Sequence, residues 1–200
     1  MHMATPLAIQ ATAKAIRRLL TEACPKGDFP TAEFKIVQAG DIAEANTQFE
    51  GISIFLYHIT ANTSRRDMSA RVSPTGKRSR PPLPLDLHFL LTPWSISADT
   101  QLSLLGWAMR VLDDSPIIPS SYLNYNFPGK EVFHPDETVE LIFNPTPVQE
   151  IALLWENLDQ VRIIPSVTYI VRMVQIESFE EIEEGKLNQA RIIDITKDTK

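Results

Sequence analysis

The side chains able to support acid–base, metal or nucleophilic chemistry are few and far apart. They are His58, His88, His134 and the single cysteine, Cys24. His58 and His88 fall in two segments predicted to be strands, so they could face each other across a sheet. No spacing in the sequence supplies the third ligand that a zinc site needs. Structural histidines are therefore the favoured interpretation, and a small metal-dependent or thiol hydrolase using His58, His88 or Cys24 is the alternative.

Cys24 is a poor candidate nucleophile. It lies where a predicted helix ends, and the negative end of a helix dipole disfavours a thiolate. We interpret it as a small core residue. The adjacent carboxylates Asp113 and Asp114 also lie at a predicted helix end, where they point to different sides and are solvated rather than paired for catalysis.

The glycines exclude several nucleotide-binding and hydrolase motifs. The chain has only 7 glycines, and no two lie closer than eleven residues in the printed sequence. The dinucleotide-binding, phosphate-binding and nucleophile-elbow motifs each need glycines a few residues apart. No cofactor motif is therefore predicted.

Charge is divided between two segments of opposite sign. Between Asn62 and Pro82, six cations are opposed only by Asp67, and this basic segment has the proline and glycine content of a long loop. It is interpreted either as a mobile, solvated loop or as a charged arm that becomes ordered on a polyanion or an acidic protein surface, and we predict the second. A nucleic-acid-binding module is a third interpretation, which the net charge of −6 opposes. The predicted partner-binding residues are Arg65, Arg66, Arg71, Lys77, Arg78 and Arg80, and the acidic residues near the other end are Glu177, Glu180, Glu181, Glu183 and Glu184.

The composition is that of one globular domain. The chain has 200 residues, of which 44% are hydrophobic and 22% charged, an ordinary mixture for a folded protein. One core suffices at this length. No apolar run approaches the ~18 residues of a membrane span, and no signal-peptide pattern is recognised at the start.

Hydrophobic periodicity predicts a single α+β domain in which helices flank a mixed, mainly antiparallel sheet. The basic segment and a second stretch, 116–135, are predicted to be irregular. A capping box is predicted at Thr146–Gln149. The predicted helices are 5–23, 97–114 and 146–158, and the predicted strands are 34–37, 51–59 (covered on both faces), 83–91, 137–143 and 166–177.

The same periodicity predicts which side chains are buried. Leu105 and Trp155 are expected in the core. The second helix is expected to bury a stripe of Leu102, Leu105, Met109 and Leu112, and the last strand one face of Val167, Tyr169, Val171 and Met173.

Six segments together resemble one family in order and spacing. They are 51–57, Asn62 with the basic segment, 80–92, 104–112, 150–155 and 165–176. The family is the cap, or tube-terminator, protein of extracellular contractile injection systems, the phage-tail-like particles of the antifeeding-prophage type. The resemblance covers Leu7 to Ser178.

The resemblance implies a tail-terminator-like cap domain at 5–178. Residues 179–200 lie outside the resemblance and are interpreted as an acidic C-terminal extension, whose role is left open. The resemblance also implies a non-enzymatic protein without cofactors, which forms a homo-hexameric ring on the inner tube, ends tube growth and anchors the last sheath layer. The implied partners are tube and sheath proteins, with no nucleic acid and no membrane insertion. Assembly is expected in the bacterial cytoplasm, as part of a particle that can be released extracellularly.

Overall fold

The structure, a computed structural model, describes residues 6–44, 49–63, 71–72, 78–158, 163–178 and 181–182. Its centre is a six-stranded sheet in the order β1-β2-β5-β8-β7-β6. β1 and β2 pair in parallel, and every other neighbouring pair in this sheet is antiparallel. Its strands are β1 Glu33–Val37, β2 Gly51–Ala61, β5 Leu83–Trp94, β6 Ile117–Pro119, β7 Thr138–Asn144 and β8 Val167–Ile176.

Five helices are described, and three further strands of two residues each form a second, smaller sheet. The helices are α1 Ala8–Ala23, α2 Ala39–Glu44, α3 Ala98–Asp113, α4 Ser120–Leu123 and α5 Val148–Asn157; the short strands are β3 Arg71–Val72, β4 Arg78–Ser79 and β9 Glu181–Ile182. This arrangement confirms the predicted α+β class with a mixed, mainly antiparallel sheet.

One face of the large sheet carries the main core. Helices α1, α3 and α4 pack here over alternating residues of the central strands, which are fully buried at Leu87, Phe89 and Val171. The short α4 region is held by Asn124, whose side chain accepts from the backbone N–H groups of Val132 and Phe133 and donates to the Phe133 carbonyl. These bonds order part of the stretch at 116–135, which the sequence analysis wrongly predicts to be irregular throughout.

The opposite face carries a smaller core at one end of the sheet. Ile42 of α2 and Trp155 and Leu158 of α5 pack there on Leu90 and Trp94 of β5. The Trp94 and Trp155 rings meet edge to face, with centroids 6.4 Å apart. Helices thus cover both faces at this end of the sheet, and the predicted burial of Trp155 is confirmed.

Strand β2 is covered on both faces only along its first part. Gly51–Ile54 are buried, whereas residues from Phe55 onward are half-buried or exposed. The prediction of burial along the whole strand is therefore wrong. A bulge between Leu56 and His58 separates the two parts of its pairing with β5.

Two further predictions of local structure are wrong for identifiable reasons. In α3 the buried stripe is Leu104, Leu105, Ala108 and Leu112, and Leu102 is 57% exposed. In β8, Met173 has a φ of 72°. This left-handed residue lies within a bulge, which places Val174 rather than Met173 in the core.

The helix termini also differ from the predicted caps. Pro147 occupies the N-cap position of α5 without a side-chain bond. The Thr146 hydroxyl instead contacts that of Thr168 at 2.6 Å, so no capping box forms. Leu7 occupies the N-cap position of α1, which begins at Ala8, whereas the first predicted helix begins at residue 5, outside the described residues. Ser97 does cap α3, accepting from the Thr100 backbone N–H.

Replacement of Leu104 by alanine should lower the free energy of unfolding by about 2–5 kcal/mol, because it leaves a cavity in the main core. The matched variant Leu102→Ala removes the same atoms from an exposed site and should change it by less than about 0.5 kcal/mol. Urea denaturation measures both. Equal losses would contradict the observed orientation of α3.

Gly51→Ala should destabilise the protein by about 1–3 kcal/mol, because the added carbon overpacks the sheet. Gly51 has a φ of +146°, and a Cβ there would lie 1.8 Å from the Glu33 carbonyl oxygen on β1. The control is Gly106→Ala in α3, where a Cβ would meet nothing within 4 Å. That variant should gain about 0.5–1 kcal/mol from helix propensity. A neutral Gly51→Ala would contradict the close approach of β1.

Candidate partner-binding surface

Three of the six predicted partner-binding cations lie within the described residues. Arg71 begins β3, Arg78 begins β4, and Arg80 follows β4 in an exposed position. Arg65, Arg66 and Lys77 lie outside the described residues. The prediction that the basic segment is a loop throughout is wrong, because β3 and β4 pair as antiparallel strands within it.

The acidic segment meets the basic segment within the same chain. β4 pairs on one side with β3 and on the other with β9. In the antiparallel register, Ser79 lies opposite Glu181 and Arg78 opposite Ile182. A strand from the glutamate-rich segment therefore adds directly to a strand from the arginine-rich segment. We call strands β3, β4 and β9 the arm.

The β4–β9 pair of the arm is formed by the stretches of chain that lie next to the paired ends of β5 and β8. The β5–β8 pairing ends with Leu83 opposite Ile176. Ser79 lies four positions before Leu83 and Glu181 five positions after Ile176, and these two residues face each other in the arm. The same two stretches of chain thus resume their antiparallel pairing, with one extra residue on the acidic side.

A histidine–glutamate contact fixes the start of the acidic segment. Glu177 follows β8, and its Oε1 lies 2.8 Å from Nε2 of His134. The Glu177 side chain is only 11% exposed. The backbone N–H of His134 also donates to the Glu137 carboxylate at 2.8 Å. These contacts fix the place from which the chain leaves β8 toward β9.

The two strand histidines do meet, as their positions predict. His58 lies directly opposite His88 in the β2–β5 register, and their ring centroids are 5.2 Å apart. His88 Nε2 is also 3.2 Å from the Thr60 hydroxyl. Burial lowers the pKa of His88, the neighbouring His58 lowers it further, and Asp86 opposes this effect.

The other two candidates for chemistry, Cys24 and His134, each contact a neighbouring group. Within the described ranges, no cluster of three or more histidine, cysteine, aspartate or glutamate side chains is placed to hold a metal ion. Cys24 is buried in the main core, as expected for a structural residue, and its Sγ lies 4.0 Å from the Phe29 carbonyl oxygen. His134 is engaged with Glu177.

Sequence reasoning missed a cation–aromatic cluster between α1 and the α4 region. The Arg18 guanidinium lies 4.2 Å from the ring centroid of Tyr122 and 3.3 Å from that of Tyr125. The Tyr122 hydroxyl donates to Glu22 at 2.7 Å. Burial and this bond raise the pKa of Tyr122, and the same bond lowers that of Glu22. The partners lie about a hundred positions apart in sequence, so no local signal could reveal the cluster.

An apolar groove beside α5 was also missed. It has a volume of about 260 Å³ and lies between α5 and the sheet, next to Tyr57 of β2 and Thr168 of β8. Leu153 lines it and is 57% exposed, and Val148 on the same helix is 64% exposed.

None of the described helices has the length and apolar character that a membrane span requires.

The six-stranded mixed sheet with its helices has the fold of the tube terminators of contractile injection systems. One similar solved structure is the PVC sheath/tube terminator of an extracellular contractile injection system in its extended state, with a TM-score of 0.59 and 15% identity over 96% of this chain. Another is the tube-terminating cap of the anti-feeding prophage, with a TM-score of 0.52 and 16% identity over 89% of this chain. This chain covers 63% and 55% of those two chains.

The sequence itself matches the family model described as the Pvc16 N-terminal domain over residues 11–189. The chain therefore belongs to the Pvc16 N-terminal domain family. The matched range includes β9 and continues past residue 178, where the resemblance drawn from the sequence segments ends. No curated protein matches the sequence.

The histidine pair should make stability depend on pH. The pKa of His88 is lower in the folded protein than in the unfolded chain. As the pH falls through the histidine range, the unfolded chain therefore binds more protons than the folded protein, and the free energy of unfolding decreases. The urea midpoint should therefore fall more between pH 7.5 and pH 5 for the wild type than for His88→Gln. Equal falls in the two proteins would contradict the lowered pKa.

Proposed function

We propose that this chain is a structural cap subunit that terminates the inner tube and sheath of a contractile injection system. The observation that carries the proposal is the likeness of nearly the whole chain to a sheath/tube terminator, together with its family membership. In this proposal the chain ends tube growth, anchors the last sheath layer and catalyses no reaction.

The subunits are proposed to form a homo-hexameric ring on the tube. A closed ring uses head-to-tail contacts, so each subunit must present two different, complementary surfaces. Two candidate contact surfaces among the described residues are the charged arm and the apolar groove beside α5, each of which would need its own complementary surface on the neighbouring subunit. Assembly in the bacterial cytoplasm, within a particle that is later released, belongs to the same proposal.

The six cations of the basic segment are proposed as the partner-binding residues. Arg80 is exposed, and Arg71 and Arg78 lie in the arm. Single exposed ion pairs contribute only about 0–1 kcal/mol each, so tube or sheath binding has to use several of them together. The domain at 5–178 is proposed to carry the ring, with 179–200 as its acidic extension.

Reversing four of these cations should weaken capping. The variant Arg65→Glu, Arg66→Glu, Arg78→Glu, Arg80→Glu should lose tube termination, because it presents anions where an acidic partner surface binds. Higher salt should weaken capping by the wild type in the same direction. Tube length in reconstituted particles, measured by electron microscopy, reports termination.

A control variant matches this change in net charge outside the basic segment. It reverses four other exposed cations, and it should still give tubes of wild-type length. If the basic-segment variant also terminates tubes at wild-type length, the assignment of these residues fails. Cap protein spread evenly along the tube wall would instead contradict the terminator function itself. The control residues are Lys26, Lys35, Arg110 and Lys130.

A further inference from the structure

The strand that pairs with β4 indicates what kind of ligand β4 accepts. β4 lies between β3 and β9, and its partner on one side is an extended strand from the glutamate-rich segment. Strand addition provides affinity through main-chain hydrogen bonds, and the neighbouring side chains provide selectivity. Residues 177–184, which we call the acidic run, contain five glutamates and no cation.

The β4–β9 pairing lies next, along the chain, to the central β5–β8 pairing. The β5–β8 register leads into the β4–β9 register with a single extra residue. The contact between Glu177 and His134 fixes the start of the acidic run.

We propose that strands β3 and β4 of the arm form a binding site for an extended, glutamate-rich strand, and that β9, from the chain's own acidic run, occupies this site in the free subunit. The proposal rests on the proposed function for the role of the basic segment. It adds that an acidic strand of a partner has to displace the acidic run. The acidic run thus keeps the basic segment partly neutralised until a partner competes for it.

A disulfide tests whether the acidic run occupies the arm in solution. Directly opposite residues of an antiparallel pair have Cα atoms about 4.5–5.5 Å apart, within the range that a disulfide can bridge. The variant Ser79→Cys, Glu181→Cys, made with Cys24→Ala, should form an intramolecular disulfide under mild oxidation. Ser79→Cys with Ser178→Cys, which is three positions out of register, is the control. Equal or absent cross-linking in the two variants would overturn the proposal.

Binding of a short fluorescent poly-L-glutamate, followed by anisotropy at low salt, tests the competition. Replacing Glu180, Glu181, Glu183 and Glu184 by glutamine should tighten binding by about tenfold, because several weak charge pairs are removed together. The disulfide-locked variant should bind more weakly than the wild type, and reduction should restore its binding. Identical affinities for the wild type, the glutamine variant and the locked variant would overturn the proposal.

The two proposals fail in distinguishable ways. If the disulfide forms and the affinities shift as expected while the arginine reversals leave tube length unchanged, the basic segment is not the capping surface, yet the arm still binds an acidic strand. If the arginine reversals abolish capping while the disulfide does not form in register, the capping surface stands and the competition by the acidic run is wrong.

Discussion

The antiparallel pairing of β5 with β8 is the interaction on which the rest of the structure depends. β5 is the longest strand, and its residues Leu85, Leu87, Phe89 and Leu91 are all buried in the main core. Their alternation fixes which face α1 and α3 cover, and it leaves Leu90 and Trp94 for the smaller core under α5. A shift of one residue would exchange the two faces, so this register determines both cores.

The β5–β8 pairing also changes how the charged segments of the sequence are interpreted. From the sequence alone, the basic and acidic segments are predicted to be two separate surfaces, each of which binds another molecule. In the structure, β9 pairs with β4, and these strands lie next along the chain to β8 and β5, which are also paired. Each pair of exposed opposite charges contributes little, so backbone pairing and the Glu177–His134 contact, rather than charge attraction alone, position β9.

Helices and strands with a regular hydrophobic period can be predicted from the sequence. Local structure that depends on a contact between distant residues cannot. The helices at 8–23 and 98–113 and five of the six strands of the large sheet, all but β6, follow the predicted order, and even the encounter of His58 with His88 follows from their strands. Periodicity could not predict the bulge at Met173, which exchanges the inward residue within a strand. Nor could it reveal how Asn124 orders its loop through Phe133, because isolated side-chain bonds leave no repeating signal.

The candidate site was predictable only as a set of charges. Arg71, Arg78 and Arg80 could be chosen from composition, but their strand partners could not, because β3, β4 and β9 have only two residues each and such short strands have no period. The groove beside Thr168 lies at the start of β8, and the arm extends from Ile176 at its end. Thr168 and Ile176 are about 26 Å apart along the strand, at a rise of about 3.3 Å per residue. The β5–β8 ladder therefore places two surfaces of different chemistry, the apolar groove and the charged arm, at opposite ends of one strand.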